Sequence, residues 1–375
     1  MRLCLVTSKP TDAVQYGFLP AAARLGLDVV LVTDQPAAYG GQSVACDVWD
    51  FRALVDCVAT LAPDAVFTNS DHLQAQTALA AAYLDLPGKD WRSCLRAKNK
   101  ALMRRRLAQA GTEQVTAAII PGPPPSSYPV VLKPLDGVAS EDVVLVHDGA
   151  ELEQHCAGLL PRHGRLLAEQ YLPGTLRTME TIGDGHGTWV LGGFRTALSP
   201  PPYFIEESLT WDPLPSYSHQ LQCLDDLGVG FGACHTEFAP GGLIEVNDRL
   251  IGDRCEFLLS AALGADLFEL VLRVHLGERL PAPVPPVPPV QATASYIYAE
   301  RRGVLVSAPD AGLVDSGVPG VTVSYWPFAV PGSRIEIANS NRDYLGVLTA
   351  FGPSADAVSR AVSAARAQCE WVIRP

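Results

Sequence analysis

At 375 residues the chain is long for one ordinary hydrophobic core, so two or three packed lobes are expected, and with 48% apolar residues it has enough to fill them. Its 40 acidic and 28 basic residues leave a formal charge of −12, which excludes a broad Lys/Arg surface for neutralising nucleic-acid phosphates; any phosphate has to be met locally. Charges and prolines interrupt every apolar run well short of the ~20 residues a bilayer span needs, so no membrane partner is expected.

The chain opens on Leu3 to Thr7, an apolar run too short for a signal-peptide core and better suited to a buried strand. Residues 11–25 follow as a helix ending near Gly26, then Leu27 to Thr33 as a strand with Asp34 at its tip. Phe51 to Leu61 is a helix, Ala65 to Thr68 a strand, and Asn69-Ser70-Asp71 a capping sequence for another helix. Strands alternating with helices in this way predict a Rossmann-like parallel sheet. The loop Thr7 to Asp12 lacks Gly-x-Gly-x-x-Gly, which argues against a dinucleotide. Lys9, Asp34 and Asn69 to Asp71, at the carboxyl ends of the strands, either line a substrate crevice or serve as ordinary loop polar groups.

A basic helix runs from about Leu95 to Ala110 and stops at Gly111. The proline-rich connection 121–125 leads to strand-like Tyr128 to Leu132. Pro281 to Val290 reads as a polyproline spacer. In the tail, Leu345 to Gly352, residues 354–369 and Trp371 to Ile373 read as strand, helix, strand. No internal repeat is present.

Two clusters carry chemistry. Lys133 ends the apolar strand Val130-Val131-Leu132 and is followed by the small-residue loop Asp136-Gly137-Val138-Ala139-Ser140; a point charge beside flexible backbone N–H groups suits a phosphate. The second is sharper. His235-Thr236-Glu237-Phe238 and Leu243-Ile244-Glu245-Val246-Asn247-Asp248-Arg249 predict a hairpin around Ala239-Pro240-Gly241-Gly242. Glu245 and Asn247, two apart, share a face within reach of Glu237, so two carboxylates and an amide oxygen form a hard-oxygen site suited to Mg²⁺. Arg249, two further on, continues that face with a guanidinium fork. Cys234 beside His235 is not a nucleophile pair, because neighbours on a strand point to opposite faces. The nine cysteines form no Cys-x-x-Cys pair and none is read at metal-ligand spacing from a histidine; free thiols in a reducing cytoplasm are expected.

Taken in order, Asn99-Lys100 and Arg104, Lys133-Pro134 with its loop, Glu169-Gln170-Tyr171-Leu172-Pro173-Gly174, His235 to Phe238 and Glu245 to Arg249 resemble the ATP-grasp superfamily over nearly the whole chain, especially its carboxylate–amine ligases. The resemblance implies an α/β fold with an N-terminal Rossmann-like domain (1–94), a linking helix and small α+β lid (95–187) and a C-terminal α+β catalytic lobe (188–375). It implies ATP with Mg²⁺, Mn²⁺ being a substitute, and an amide made through an acyl phosphate from small-molecule carboxylate and amine substrates. Amino acids or small organic acids in peptide or siderophore assembly fit that chemistry.

By that similarity Lys100, Lys133 and Ser140 meet the ATP phosphates, and Glu169, Gln170, Tyr171 and Leu172 form the hinge against adenine. Glu237, Glu245 and Asn247 bind the metal, while Arg249, Lys133 and Asn247 act in catalysis. The acidic residue usual after the hinge glycine is replaced by Thr175-Leu176-Arg177, leaving Glu180 as the nearest carboxylate for the ribose. Tyr203, Phe204 and Glu206 are candidates for selecting the amine. Two other readings stand beside this one: a purine-biosynthetic or carboxylase-like ligase using bicarbonate or formate, and a nucleotide-binding regulator without turnover. A homodimer is the commonest assembly for such a chain.

Overall fold

The computed structural model describes residues 1–39, 43–281 and 290–375, and the proposed proline spacer falls largely outside them. The chain begins with β1 (Arg2–Val6), β2 (Asp28–Thr33), β3 (Ser43–Ala45) and β4 (Ala65–Phe67), a parallel sheet in the order β3-β2-β1-β4. Leu3 and Leu5 enter one core while Cys4 and Val6 enter another, so both faces are covered; this is why β1 reads as an unbroken apolar run. A π-turn (Ala13–Phe18) leads into α1 (Leu19–Arg24), and α2 (Phe51–Leu61) is capped by Asp50, which accepts from the N–H groups of Arg52 and Ala53. The next helix departs from expectation. α3 (Gln74–Tyr83) starts three residues late and without a side-chain cap, because the carboxylate of Asp71 is drawn to the ammonium of Lys98 instead.

The basic helix is two helices, α4 (Trp91–Lys98) and α5 (Lys100–Ala110). Asn99 between them is extended, and its side chain accepts from the Leu102 N–H at 3.1 Å, capping α5. The break turns Lys100 and Arg104 inward, where they are 4% and 6% exposed. An antiparallel sheet follows: β5 (Ala117–Ile120), β6 (Val130–Pro134), β7 (Val144–Val146) and β8 (Leu166–Gln170), ordered β5-β8-β6-β7 and packed on α6 (Gly149–His163) around a core of its own.

The remainder is built on a ten-stranded sheet. Its strands are β9 (Leu176–Asp184), β10 (Thr188–Gly192), β11 (Phe194–Leu198), β12 (Glu206–Trp211), β13 (Phe231–Ala239), β14 (Gly242–Asn247) and β15 (Gln291–Tyr298), extended beyond β16 (Gly303–Ser307) by β17 (Gly312–Leu313) and β18 (Thr322–Pro327) and, after β19 (Arg334–Ile335), by β20 (Tyr344–Gly352). The order is β14-β13-β9-β11-β12-β15-β20-β18-β17, with β10 on β9; β19, β16 and β21 (Val372–Arg374) form a separate small sheet. Met179, Cys234, Phe238 and Val246 face a core shared with α4, α5 and α7 (Ser218–Leu227). Of the last helices, α8 (Cys255–Leu263) and α9 (Leu267–His275) pack beneath the sheet, and α10 (Ala355–Gln368) covers its far end. Phe18 of the first domain meets Phe67 and Phe268, so the parallel sheet and the large sheet share one apolar core.

Candidate active site

β13 and β14 are antiparallel, with Glu237 opposite Glu245 and His235 opposite Asn247. On the other side β9 places Glu180 opposite His235. Because side chains alternate along a strand, Glu180, His235, Glu237, Glu245 and Asn247 share the face turned away from Cys234 and Phe238. Four acidic or amide groups crowd one patch and need positive partners.

Those partners come from three places. His235 Nδ1 lies 2.8 Å from Glu180 Oε1 and its Nε2 lies 3.2 Å from Glu237 Oε1. Burial opposes a charge on the ring, but the two carboxylates outweigh it and raise its pKa to about 10, so it is an imidazolium at neutral pH. Lys100 Nζ is 2.9 Å from Glu245 Oε1, which overcomes the burial penalty and raises the ammonium pKa. Lys133 pairs with Glu169, whose second oxygen accepts from Arg104 Nε at 2.9 Å. Burial would raise the Glu169 carboxyl, yet these two cations hold it below the usual range. Lys133 shares Glu169 with Arg104, and burial lowers its pKa.

One end of the Asn247 amide lies 3.2 Å from both Glu245 Oε1 and Asp71 Oδ1. With nitrogen at that end both contacts are hydrogen bonds; turning the amide over brings a third oxygen beside the carboxylates. Two opposed carboxylates held by exchangeable cationic partners, plus an amide free to present oxygen, form an all-oxygen donor set that fits Mg²⁺. Arg249 needs a correction: β14 ends at Asn247, so Arg249 does not continue the strand face. Its N–H bonds to the Asn247 carbonyl at 2.7 Å in a tight turn. Burial opposes the guanidinium charge, but Asp71, Asp253 and Glu245 outweigh it.

Glu180, the carboxylate expected at the ribose, is buried with its Oε1 against His235 Nδ1. Among the hinge residues, Gln170 N–H bonds to the Thr116 carbonyl and Tyr171 N–H to that of Pro129, while Leu172 is buried. Ser140 is half-buried in the loop after β6, with φ +52. Tyr203 packs between the core of the small antiparallel sheet and that of the large one, and Phe204 beside it is half-buried. Glu206 does reach the carboxylate patch. Burial, then the charges of Glu237 and Asp253, raise its carboxyl to about 8.

The sequence reading left out Asp253, which no spacing signals, and did not single out Asp71 within its loop. It also overlooked His219 and Cys223, four apart on α7, a spacing that places both on one helix face. They meet Glu113 with all ligand atoms inside 4.8 Å. Both Glu113 oxygens are already used, by Leu243 N–H at 2.8 Å, His219 at 2.9 Å and Arg104 at 3.1 Å. Burial and Glu113 push the Cys223 thiol up to about 12. This knot fastens the hairpin to α5.

A cleft of about 240 Å³ lies among His72, Pro134, Asp136, Gly137, His163 and Arg342, and another of about 460 Å³ opens beside Arg177, His219 and the hairpin turn.

No family model matches the chain. It is 27% identical over 418 aligned residues to the uncharacterised protein y4rH of Sinorhizobium fredii (strain NBRC 101917 / NGR234), which covers all of this chain and 84% of that protein. Among solved structures it resembles an L-amino acid ligase from Bacillus licheniformis, at TM-score 0.81 and 21% identity, covering 100% of this chain and 99% of the other. It also resembles a phosphoribosylglycinamide synthetase from Anaerococcus prevotii (0.72, 12%, covering 100% and 99%). A third likeness is to the biotin carboxylase domain of a Hydrogenobacter thermophilus 2-oxoglutarate carboxylase, in complex with MgADP and bicarbonate (0.72, 17%, covering 99% and 90%). The chain has the ATP-grasp fold.

Proposed function

We propose that the protein is an ATP- and Mg²⁺-dependent, ADP-forming ligase that joins a carboxylate to an amine. The supporting observation is the pairing of Glu237 with Glu245 across one hairpin, with Lys100 and Lys133 at its edge. Glu237, Glu245 and Asn247 would hold the cation, which when bound neutralises charge on the nucleotide phosphates. Free carboxylates resist amines because the oxygen leaves poorly. In-line attack of the substrate carboxylate on the γ-phosphoryl of ATP gives an acyl phosphate and ADP. Lys100 and Lys133 draw off charge as it builds on the phosphoryl oxygens, and Arg249 holds the transferred group by its planar fork.

The amine must lose a proton before it attacks. Glu206, a half-buried carboxyl in the field of Glu237, is suited to accept it at and above about pH 8, where it is ionised. Attack on the acyl carbon then forms the C–N bond and expels phosphate.

Phosphate release with ATP and Mg²⁺, assayed over amino acids, organic acids, amines and bicarbonate, tests the reading. Stimulation by a carboxylate–amine pair is expected, and Glu245→Gln should lower it by about 100-fold or more. Stimulation by bicarbonate alone would move the assignment to a carboxylase-type ligase, and an unaffected Glu245→Gln would remove the cation site from the reaction.

A further inference from the structure

The loop after β6 is left-handed at three non-glycine residues, Ala139 (φ +59), Ser140 (+52) and Asp142 (+59). Each such residue is unfavourable alone and persists only when held from outside. The holds come from opposite sides. Lys100 Nζ donates to the Gly137 carbonyl at 3.0 Å and also holds Glu245. From the far lobe, the backbone N–H of Asn341 donates to the Ala139 carbonyl at 3.0 Å, and Arg342 Nε reaches Glu141 at 3.4 Å.

Asn341 has a second attachment. Its Oδ1 accepts from the Glu206 N–H at 3.0 Å, and its Nδ2 donates to Glu206 Oε2 at 3.2 Å. Only an amide can do both. An alanine would remove both of these bonds to Glu206. The turn carrying Asn341 is stiff. Ser340 and Asp343 cap each other reciprocally and are both buried, and Asp343 also accepts from Ala338 N–H at 2.8 Å.

We propose that Asn341 is a positioning residue that joins the loop over the phosphates to Glu206, so that closing the loop and setting the amine-side carboxylate are one event. The proposal rests on the ligase reading and deepens it. An acyl phosphate meets water readily, and an enzyme that forms it before the amine side is set wastes ATP. Here the loop spans from the Lys100–Glu245 pair to the Asn341–Glu206 pair, so a loose amine side is felt by the loop.

Two substitutions separate the two halves of the tie. Asn341→Ala removes the side-chain bonds to Glu206 and keeps the N–H bond to the loop. Asn341→Pro removes both, at the first position of a short helix where proline fits and after Ser340, whose extended backbone (φ −149, ψ 177) tolerates it. In the full-length protein without nucleotide, hydrogen exchange of residues 137–142 should quicken by about tenfold in Asn341→Pro. With substrates, both variants should release more phosphate per amide formed than the wild type, with a raised KM for the amine and, in Asn341→Ala, little change in that for ATP. Exchange unchanged in Asn341→Pro overturns the tether, and a phosphate-to-amide ratio that stays near one overturns the coupling. If the wild type ligates nothing, the ligase reading has failed by itself, and the exchange comparison still decides whether Asn341 holds the loop.

Discussion

Single residues in this protein are set by the charges around them, and Glu256 is the sharpest case outside the hairpin. It lies in α8, 2% exposed, with Oε2 unpaired, and burial raises its carboxyl to about 8. In the unfolded chain it ionises near 4.5, so between about pH 4.5 and pH 8 the folded state holds a proton the unfolded state has lost. Stability contributed by this residue therefore falls as pH rises through that window, and the penalty is complete above it. Glu256→Gln, which keeps the shape and removes the charge, should change little near pH 5 and gain about 3–5 kcal/mol near pH 9 in urea unfolding. An equal effect at both pH values would mean that the carboxyl titrates normally. At this scale the sequence pointed to acids and bases but not to their partners: Lys100 to Glu245 and His235 to Glu180 are separated by 145 and 55 positions, and no local pattern encodes such pairs.

Whole elements carry the next layer. Strand alternation made Glu237, Glu245 and Asn247 legible, because period two fixes which side chains share a face once the hairpin turn is found. The basic helix was misread as continuous since Asn99 is a tolerable helix residue until its side chain finds the Leu102 N–H. That break is what buries Lys100. The segment after β8, where the hinge is expected, also meets the hairpin turn. Gly174 has φ +117, and a Cβ there would come within 2.9 Å of Pro240 Cγ in the hairpin turn. Gly174→Ala should cost about 1–3 kcal/mol and weaken ATP binding severalfold by pushing the hairpin from the hinge. Urea unfolding and nucleotide titration check both effects; wild-type values for each would show that the hinge does not set the hairpin.

The parts of the molecule are fastened through buried charge as well as apolar contact. Lys89, between α3 and α4, reaches into the large sheet and donates to Asp248 Oδ1 at 2.6 Å and to the Ala233 carbonyl at 3.0 Å, with both side chains about 95% buried. Lys89→Met leaves the Asp248 carboxylate buried without its cation, and a loss of about 3–5 kcal/mol is expected. Adding Asp248→Asn should recover part of it. A double variant no more stable than the single one would rule out the ion pair as the fastening. The same convergence brings His72 and Arg342 to the walls of one cleft, although they are 270 positions apart in sequence.

By itself the sequence determined the α/β alternation and the hairpin of acids, since each rests on a period or spacing a few residues long. The tertiary structure alone decided that Arg249 leaves the strand face in a tight turn, that Glu180 lies against His235, that Tyr203 packs between two cores and that Asn341 stands between loop and carboxylate. Those outcomes depend on which distant groups are left to satisfy a buried charge or polar atom, and only the folded chain sets that competition.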